Sequence, residues 1–164
     1  MNTDAPAIRE RPARPEAAVS RAGARGNFVM LRAGGLRLLL PHEDVGAAEY
    51  IDGVPAATAQ PGLFEHDVLG QRRPIVALSE QLRALEAFPA GRFVLTRLHA
   101  GGGELSFAWD EVRVLIDVVL EPLPLPPAMR SPQGPIDGYV RLDGELLLCA
   151  TAPRVFAYAV STGE

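Results

Sequence analysis

Three histidines, two of them with acidic neighbours, are the first candidates for metal chemistry. His42 lies in the run His-Glu-Asp at 42–44, His66 lies in Glu-His-Asp at 65–67, and His99 stands apart. Imidazole and carboxylate groups bind metals in proteins, but they do so at recognisable spacings. These histidines are far apart and have no Cys or carboxylate at such a spacing. We therefore expect surface histidines, solvated acidic clusters and no metal site.

The sequence likewise offers no good candidate for a catalytic nucleophile. Cys149 is the single cysteine and lies in the apolar run 146–150, which favours a buried small side chain over a reactive thiol. Neither Ser79 nor Ser106 lies in a G-x-S-x-G elbow. All 16 basic residues are arginine, so lysine-dependent chemistry is excluded, including P-loop, Schiff-base and kinase lysines. The sequence predicts no catalytic residue and no cofactor.

Two segments carry part of a phosphate-binding pattern, a glycine triplet and a pair of arginines. The glycine triplet 101–103 follows a predicted strand but opens another strand, whereas a phosphate cradle needs a helix N-terminus. Arg21 and Arg25 form the R-x-x-x-R pattern that some cyclic-dinucleotide binders place before a β-barrel. The companion D/N-x-S-x-x-G motif is missing. A cyclic-dinucleotide sensor is therefore the alternative hypothesis.

Composition describes a folded acidic protein with a basic leader. Residues 1–26 carry a net charge of +2, and the remaining chain carries −6, for a total of −4. An acidic body is a poor nucleic-acid binder, because that affinity comes largely from neutralising phosphates. A single cysteine suits a reducing cytoplasm. No apolar leader or long apolar run is present, so we expect a cytoplasmic protein without membrane insertion.

Turn signals organise the chain into short strands. Residues 1–26 read as a flexible Arg/Ala/Pro-rich tail, and order is expected to begin at Phe28. Hairpins are predicted at Gly34-Gly35 and Asp143-Gly144. Further predicted elements are a short element at 43–51, strands at 74–77, 92–98, 104–109 and 112–120, a proline-rich connector at 121–127, and helices at 80–87 and after Pro153.

These elements predict a mainly β fold of two small antiparallel barrels, since helices do not alternate with strands. The strand 112–120 alternates poorly, so we expect it to be buried on both faces or bent. The connector 121–127 is expected to cross between the two subdomains. Residues 27–160 form the folded domain in this interpretation, and 161–164 form a C-terminal tail.

A folded domain without catalytic residues often works through its surface. The small apolar positions Val45, Ala47, Ala48 and Tyr50 form a candidate patch for another protein. Packing inward is the favoured alternative for these residues, since the sequence does not show which face is exposed.

The order of several motifs resembles the CheW-like domains of bacterial chemotaxis coupling proteins. Each motif is weak alone, but they occur in the family's order over about residues 28–158. They are "P-x-E-D-V" within 35–45, "N-L-R-G-x-x-x-P-V-V-D-L" at 67–78, "V-D-x-V" at 109–112, "L-x-P-x-P" at 120–124, and "I-x-G…D-G-x-L-L-L" at 136–148.

The resemblance implies a non-enzymatic adaptor with two SH3-like five-stranded barrels. Its implied partners are the regulatory domain of a CheA-type histidine kinase and the tip of a methyl-accepting chemoreceptor, or another CheW-like protein. Leu69, before Gly70, replaces the arginine that the family uses for receptor contact, and Ala77 replaces an aspartate. Losing one charged hydrogen-bonding group removes about 1.5–3 kcal/mol. We therefore expect an alternative pathway, such as one controlling pili or gliding, with partner contacts at Val45, Ala48, Tyr50, Leu69 and Gly70.

Overall fold

The computed structural model describes residues 23–161. In this part of the chain, twelve strands precede one helix: β1 (Ala24–Ala33), β2 (Leu36–Pro41), β3 (Val45–Tyr50), β4 (Ala56–Ala57), β5 (Leu63–Val68), β6 (Gln71–Val76), β7 (Val94–Ala100), β8 (Gly103–Trp109), β9 (Glu111–Leu120), β10 (Leu123–Pro124), β11 (Ile136–Leu142), β12 (Glu145–Ala150) and α1 (Ala152–Ser161). Short 3-10 turns span His42–Asp44 and Pro127–Met129.

The strands form two six-stranded sheets. Sheet 1 has the order β10-β11-β12-β2-β1-β9, and sheet 2 has the order β3-β7-β8-β6-β5-β4. Each sheet contains five longer strands and one strand of two residues, β10 or β4. The first and last parts of the chain therefore build sheet 1, and the middle builds sheet 2. The mainly β expectation of two small barrels is confirmed.

Leucine-rich β2 shows why the sheets stack. Leu36, Leu38 and Leu40 face sheet 2, while Leu39 faces the interior of sheet 1, so both faces of the strand are buried. A strand buried on both faces reads as a continuous apolar run rather than an alternating one. The burial of β2 places a large core between the two sheets.

Three apolar cores result. The largest lies between the sheets and includes Trp109, Phe107 and Leu31, with Val155 of α1 packed into it. A second core, around Met30 and Val140, fills sheet 1. The third fills sheet 2 with Ile51, Phe64, Ile75, Ala77 and Ala108.

One buried ion pair connects the two sheets. The guanidinium of Arg92 donates to the carbonyl of Leu78 at 2.6 Å and to Oδ1 of Asp110 at 3.2 Å. The other oxygen of Asp110 accepts from the backbone N–H of Gly34, at the β1–β2 turn. Leu78 follows β6 and Arg92 precedes β7, both strands of sheet 2, whereas Gly34 lies in the turn between β1 and β2 of sheet 1. This pair therefore links the two sheets.

The expected helix at 80–87 is wrong. The segment is a compact turn in which Oγ of Ser79 accepts hydrogen bonds from the backbone N–H groups of Gln81 and Arg83, at 3.2 and 3.1 Å. Leu82 has φ +59°, and Leu78 forms an isolated antiparallel bridge with Ala84. The side chain that was expected to begin a helix instead stabilises a turn, which is the competing use of serine.

For 112–120 the sequence left two alternatives, burial on both faces or a bend, and the structure shows the bend. Strand β9 is the terminal strand of sheet 1 and exposes several apolar side chains. Its pairing with β1 is interrupted by a bulge between Gly26 and Phe28, and Asp117 there has φ +54°. The connector after β9 does not cross between the sheets, because β9 and β10 are the two edges of the same sheet.

The ends of the folded region differ slightly from expectation. Strand β1 begins at Ala24, before Phe28, and Ser161 belongs to α1. The rest of the expected tails, residues 1–22 and 162–164, lies outside the described residues. The expected helix after Pro153 is confirmed. Oδ2 of Asp44 accepts from the backbone N–H of Ala152 at 2.9 Å and so caps the start of this helix.

Candidate interaction site

The candidate residues on β3 divide between core and surface. Val45 is buried in the core between the sheets, so its expected place in an exposed patch is wrong. Ala48 and Tyr50 are exposed, and Tyr50 is 79% exposed. Strand β3 is bulged between Val45, which pairs with Leu98 of β7, and Ala48, which pairs with Thr96.

Leu69 and Gly70 form the tip of the β5–β6 hairpin. Val68 pairs with Gln71, so the loop contains only these two residues, with φ values of +54° and +80°. Two positive φ values are typical of a type I′ turn. The Leu69 side chain is fully exposed. Oδ1 of Asp67 accepts from the backbone N–H of Gly70 at 2.8 Å and holds the turn in place.

A leucine at this position is unfavourable in two ways. The left-handed conformation costs an L-residue with a branched side chain about 1–2 kcal/mol, and full exposure gives no packing in return. The β11–β12 hairpin has the same turn, with φ values of +51° and +80°, and places the favoured pair Asp143-Gly144 there. Strained residues that contribute nothing to folding are concentrated at functional sites.

A polar cleft lies beside this hairpin. Its lining includes Asp52, Val54, Glu65, Asp67 and Arg72. Three carboxylates against one arginine make the cleft acidic, and Val54 is 83% exposed within it. The Arg72 guanidinium lies 3.6 Å from the Glu65 carboxylate at the exposed surface, where such a pair adds little stability.

The structure brings β3 close to the hairpin. Glu49 of β3 lies 4.0 Å from Arg73 of β6 and 3.1 Å from Arg97 of β7. Residues 51–54 then lead from Tyr50 into the cleft. We use the name hairpin-end surface for five residues that line the cleft or adjoin its lining segments in sequence: Tyr50, Asp52, Val54, Leu69 and Gly70. It combines exposed apolar side chains with an acidic rim.

The side chains that the sequence suggested for metal, thiol or dinucleotide chemistry do not form a reactive site in the described residues. Within residues 23–161, no group of three or more metal-ligating side chains is present. Cys149 is half-buried, and desolvation raises the pKa of its thiol to about 11, as expected for a packed cysteine. Arg25 donates to both carboxylate oxygens of Asp117, at 2.7 and 2.9 Å, and Arg21 lies outside the described residues. No observation favours the cyclic-dinucleotide hypothesis.

Val54 and the acidic cleft were missed by sequence reasoning. Val54 lies in a Gly- and Pro-containing loop, where a single apolar residue gives no periodic signal. Pairing of β5 with β6 brings Glu65 and Arg72 together only in the fold. The strained tip could have been found from the sequence, because a two-residue loop ending in glycine predicts positive φ at Leu69.

The architecture defines the class: two SH3-like barrels packed on a shared core, with a short C-terminal helix. The chain has a CheW-like fold. It is similar in structure to the scaffolding protein TtCheW from Thermoanaerobacter tengcongensis, with a TM-score of 0.55 and 14% sequence identity, over 77% of this chain and 89% of that chain. Neither a protein-family model nor a curated protein matches the sequence. Among the described residues, no helix has the length and apolar character needed to cross a membrane.

Proposed function

We propose that this chain is a non-enzymatic signalling adaptor that binds another protein through the hairpin-end surface. The observation that carries the proposal is Leu69, which is fully exposed in a left-handed conformation at a turn held by Asp67. Folding gains nothing from leucine there. An apolar side chain on a hairpin turn whose backbone is held in place is suited to insertion into a partner's pocket, where it is removed from water.

The surroundings of Leu69 define the chemistry of that partner. Asp52, Glu65 and Asp67 surround the cleft with negative charge, only partly balanced by Arg72. A complementary partner presents an apolar pocket for Leu69 and positive side chains around it. The required partner differs from one that binds an arginine, because an arginine would pair with a carboxylate on the partner.

The partner proposed is the regulatory domain of a CheA-type histidine kinase, in the cytoplasm. The CheW-like fold supports the kind of role, since the similar protein TtCheW is a scaffolding protein. A chemoreceptor tip or another CheW-like protein would be the second partner. Leu69 in place of the family's arginine favours a pathway with altered receptor contact, such as one controlling pili or gliding.

Calorimetric titration of the full chain with the kinase regulatory domain from the same genome tests the proposal. We expect saturable binding that Asp52→Arg weakens by at least threefold, because the substitution reverses charge in the cleft. Glu86→Arg makes the same charge change at an exposed position outside the cleft and should leave the affinity unchanged. An absence of binding at several hundred micromolar would exclude this kinase-adaptor function.

A further inference from the structure

The four sheet edges differ in how they are protected. Strands β10 and β4 have two residues each, and β10 includes Pro124. Strand β3 is bulged and carries the charged Glu49. Short strands, prolines, bulges and charges are the usual means of preventing edge-to-edge pairing. Strand β9 also has a bulge, at Asp117, and charged residues, but with ten residues it is the longest of the four edges, and within residues 23–161 it pairs with β1 alone.

The face of β9 that continues the core between the sheets is apolar and partly uncovered. Val112 lies opposite Leu31 of β1, and Val114 lies opposite Val29, so both face the core between the sheets. Ile116 follows on the same face. Val112 packs against that core, but Val114 is 50% exposed and Ile116 is 62% exposed. The apolar layer of sheet 1 thus extends beyond the residues that cover it.

This row is complementary to itself. In an antiparallel pair of β9 strands related by a two-fold axis at Val114, each Val114 lies opposite its copy and each Val112 lies opposite an Ile116. Such a pairing also places Glu111 opposite Asp117. Glu111 is already paired with Arg32 at 2.9 Å, and Asp117 with Arg25, so the charges that meet are partly neutralised.

We propose that β9 pairs with β9 of a second copy of this chain and forms a symmetric dimer. The regular pairing covers residues 112–116, because the bulge at Asp117 ends the regular part of the strand and the two-fold axis at Val114 sets the same limit at Glu111. A short ladder with one apolar row buries less area than a standard stable interface. The dimer is therefore weak and dependent on concentration. Its surface is separate from the hairpin-end surface, which lies on sheet 2.

Sedimentation equilibrium of the full chain tests the proposal. We expect a monomer–dimer equilibrium that Val114→Lys weakens by roughly tenfold or more, because a lysine at the axis meets its own copy. Leu146→Lys is the matched control, since Leu146 is 52% exposed in β12, away from this edge. A chain that stays monomeric at millimolar concentration would overturn the proposal, as would equal effects of the two substitutions.

Disulfide trapping gives a second test that does not depend on a charged variant. Residues opposite each other in an antiparallel pair have Cβ atoms about 4.5–5.5 Å apart, so Val114→Cys should form a covalent dimer under mild oxidation. Leu146→Cys should remain a monomer. The native Cys149 contributes little background, because burial keeps its thiol protonated at neutral pH. Equal trapping of both variants, or trapping of neither, would overturn the proposed pairing.

Discussion

Replacing Leu69 by asparagine should stabilise the protein. Leucine in the left-handed conformation costs about 1–2 kcal/mol, whereas asparagine adopts that conformation readily. The Leu69 side chain is fully exposed, so its removal sacrifices no packing. We expect Leu69→Asn to raise the free energy of unfolding by about 1 kcal/mol and the melting temperature by about 2–4 °C. Urea and thermal unfolding followed by Trp109 fluorescence would measure both.

The β11–β12 hairpin provides the reciprocal control. Asp143 occupies the equivalent position of a turn with the same geometry, and it is exposed. Asp143→Leu should therefore lower the free energy of unfolding by a similar amount, about 1 kcal/mol. Opposite signs at two matched turns would show that leucine at position 69 is retained at a cost to stability.

Binding should change in the direction opposite to stability. Burial of a leucine side chain contributes about 1.5–3 kcal/mol. Leu69→Asn should therefore weaken binding of the kinase regulatory domain roughly 10- to 100-fold, while Asp143→Leu leaves it unchanged. Calorimetric titration measures both affinities. Unchanged binding with Leu69→Asn, or a loss of stability in that variant, would refute the argument that strain at the tip is kept for recognition.

Three further predictions concern the core. Arg92→Ala removes the guanidinium donor from Oδ1 of Asp110 and from the buried carbonyl of Leu78, while Gly34 still donates to Oδ2 of Asp110. We therefore expect a loss of about 2 kcal/mol in urea unfolding, against less than about 0.5 kcal/mol for the exposed Arg72→Ala. Thr96→Val removes the acceptor, 2.8 Å away, of the buried Trp109 indole N–H and should cost about 1–3 kcal/mol, with a shifted fluorescence maximum. Burial raises the pKa of Cys149 from 9.0 to about 11, so at pH 8 iodoacetamide should alkylate the folded chain about 100-fold more slowly than the unfolded chain, and equal rates would contradict this burial.

Local turn chemistry explains which elements were predictable. Gly34-Gly35 and Asp143-Gly144 form the expected hairpins, because these residue types tolerate the positive φ that such turns require, at Gly34 in the first turn and at Asp143 and Gly144 in the second. The start of α1 was likewise visible in Pro153. These features depend on neighbours within a few residues and not on the rest of the fold.

Features that depend on distant partners were not predictable. Ser79 could begin a helix or stabilise a turn, and the bridge from Leu78 to Ala84 accompanies the turn. The apolar residues of β9 resemble a buried strand, but only the strand order reveals that β9 is an edge. Val45 and Ala48 are both apolar residues of β3, and only the packing of the fold shows that Val45 is buried and Ala48 is exposed. The sequence could single out Leu69 as a candidate contact residue, but it could not show that Leu69 is fully exposed or that a cleft lies beside it.

Mapping the contact by NMR would show whether this chain binds the kinase regulatory domain through the hairpin-end surface. Amide shifts of the isotopically labelled full chain would be followed during titration with the unlabelled kinase regulatory domain. We expect saturable changes concentrated at residues 50–54 and 65–72, which disappear at matched concentrations with Leu69→Asn. Binding without changes in those two segments, or no binding at all, would contradict this expectation.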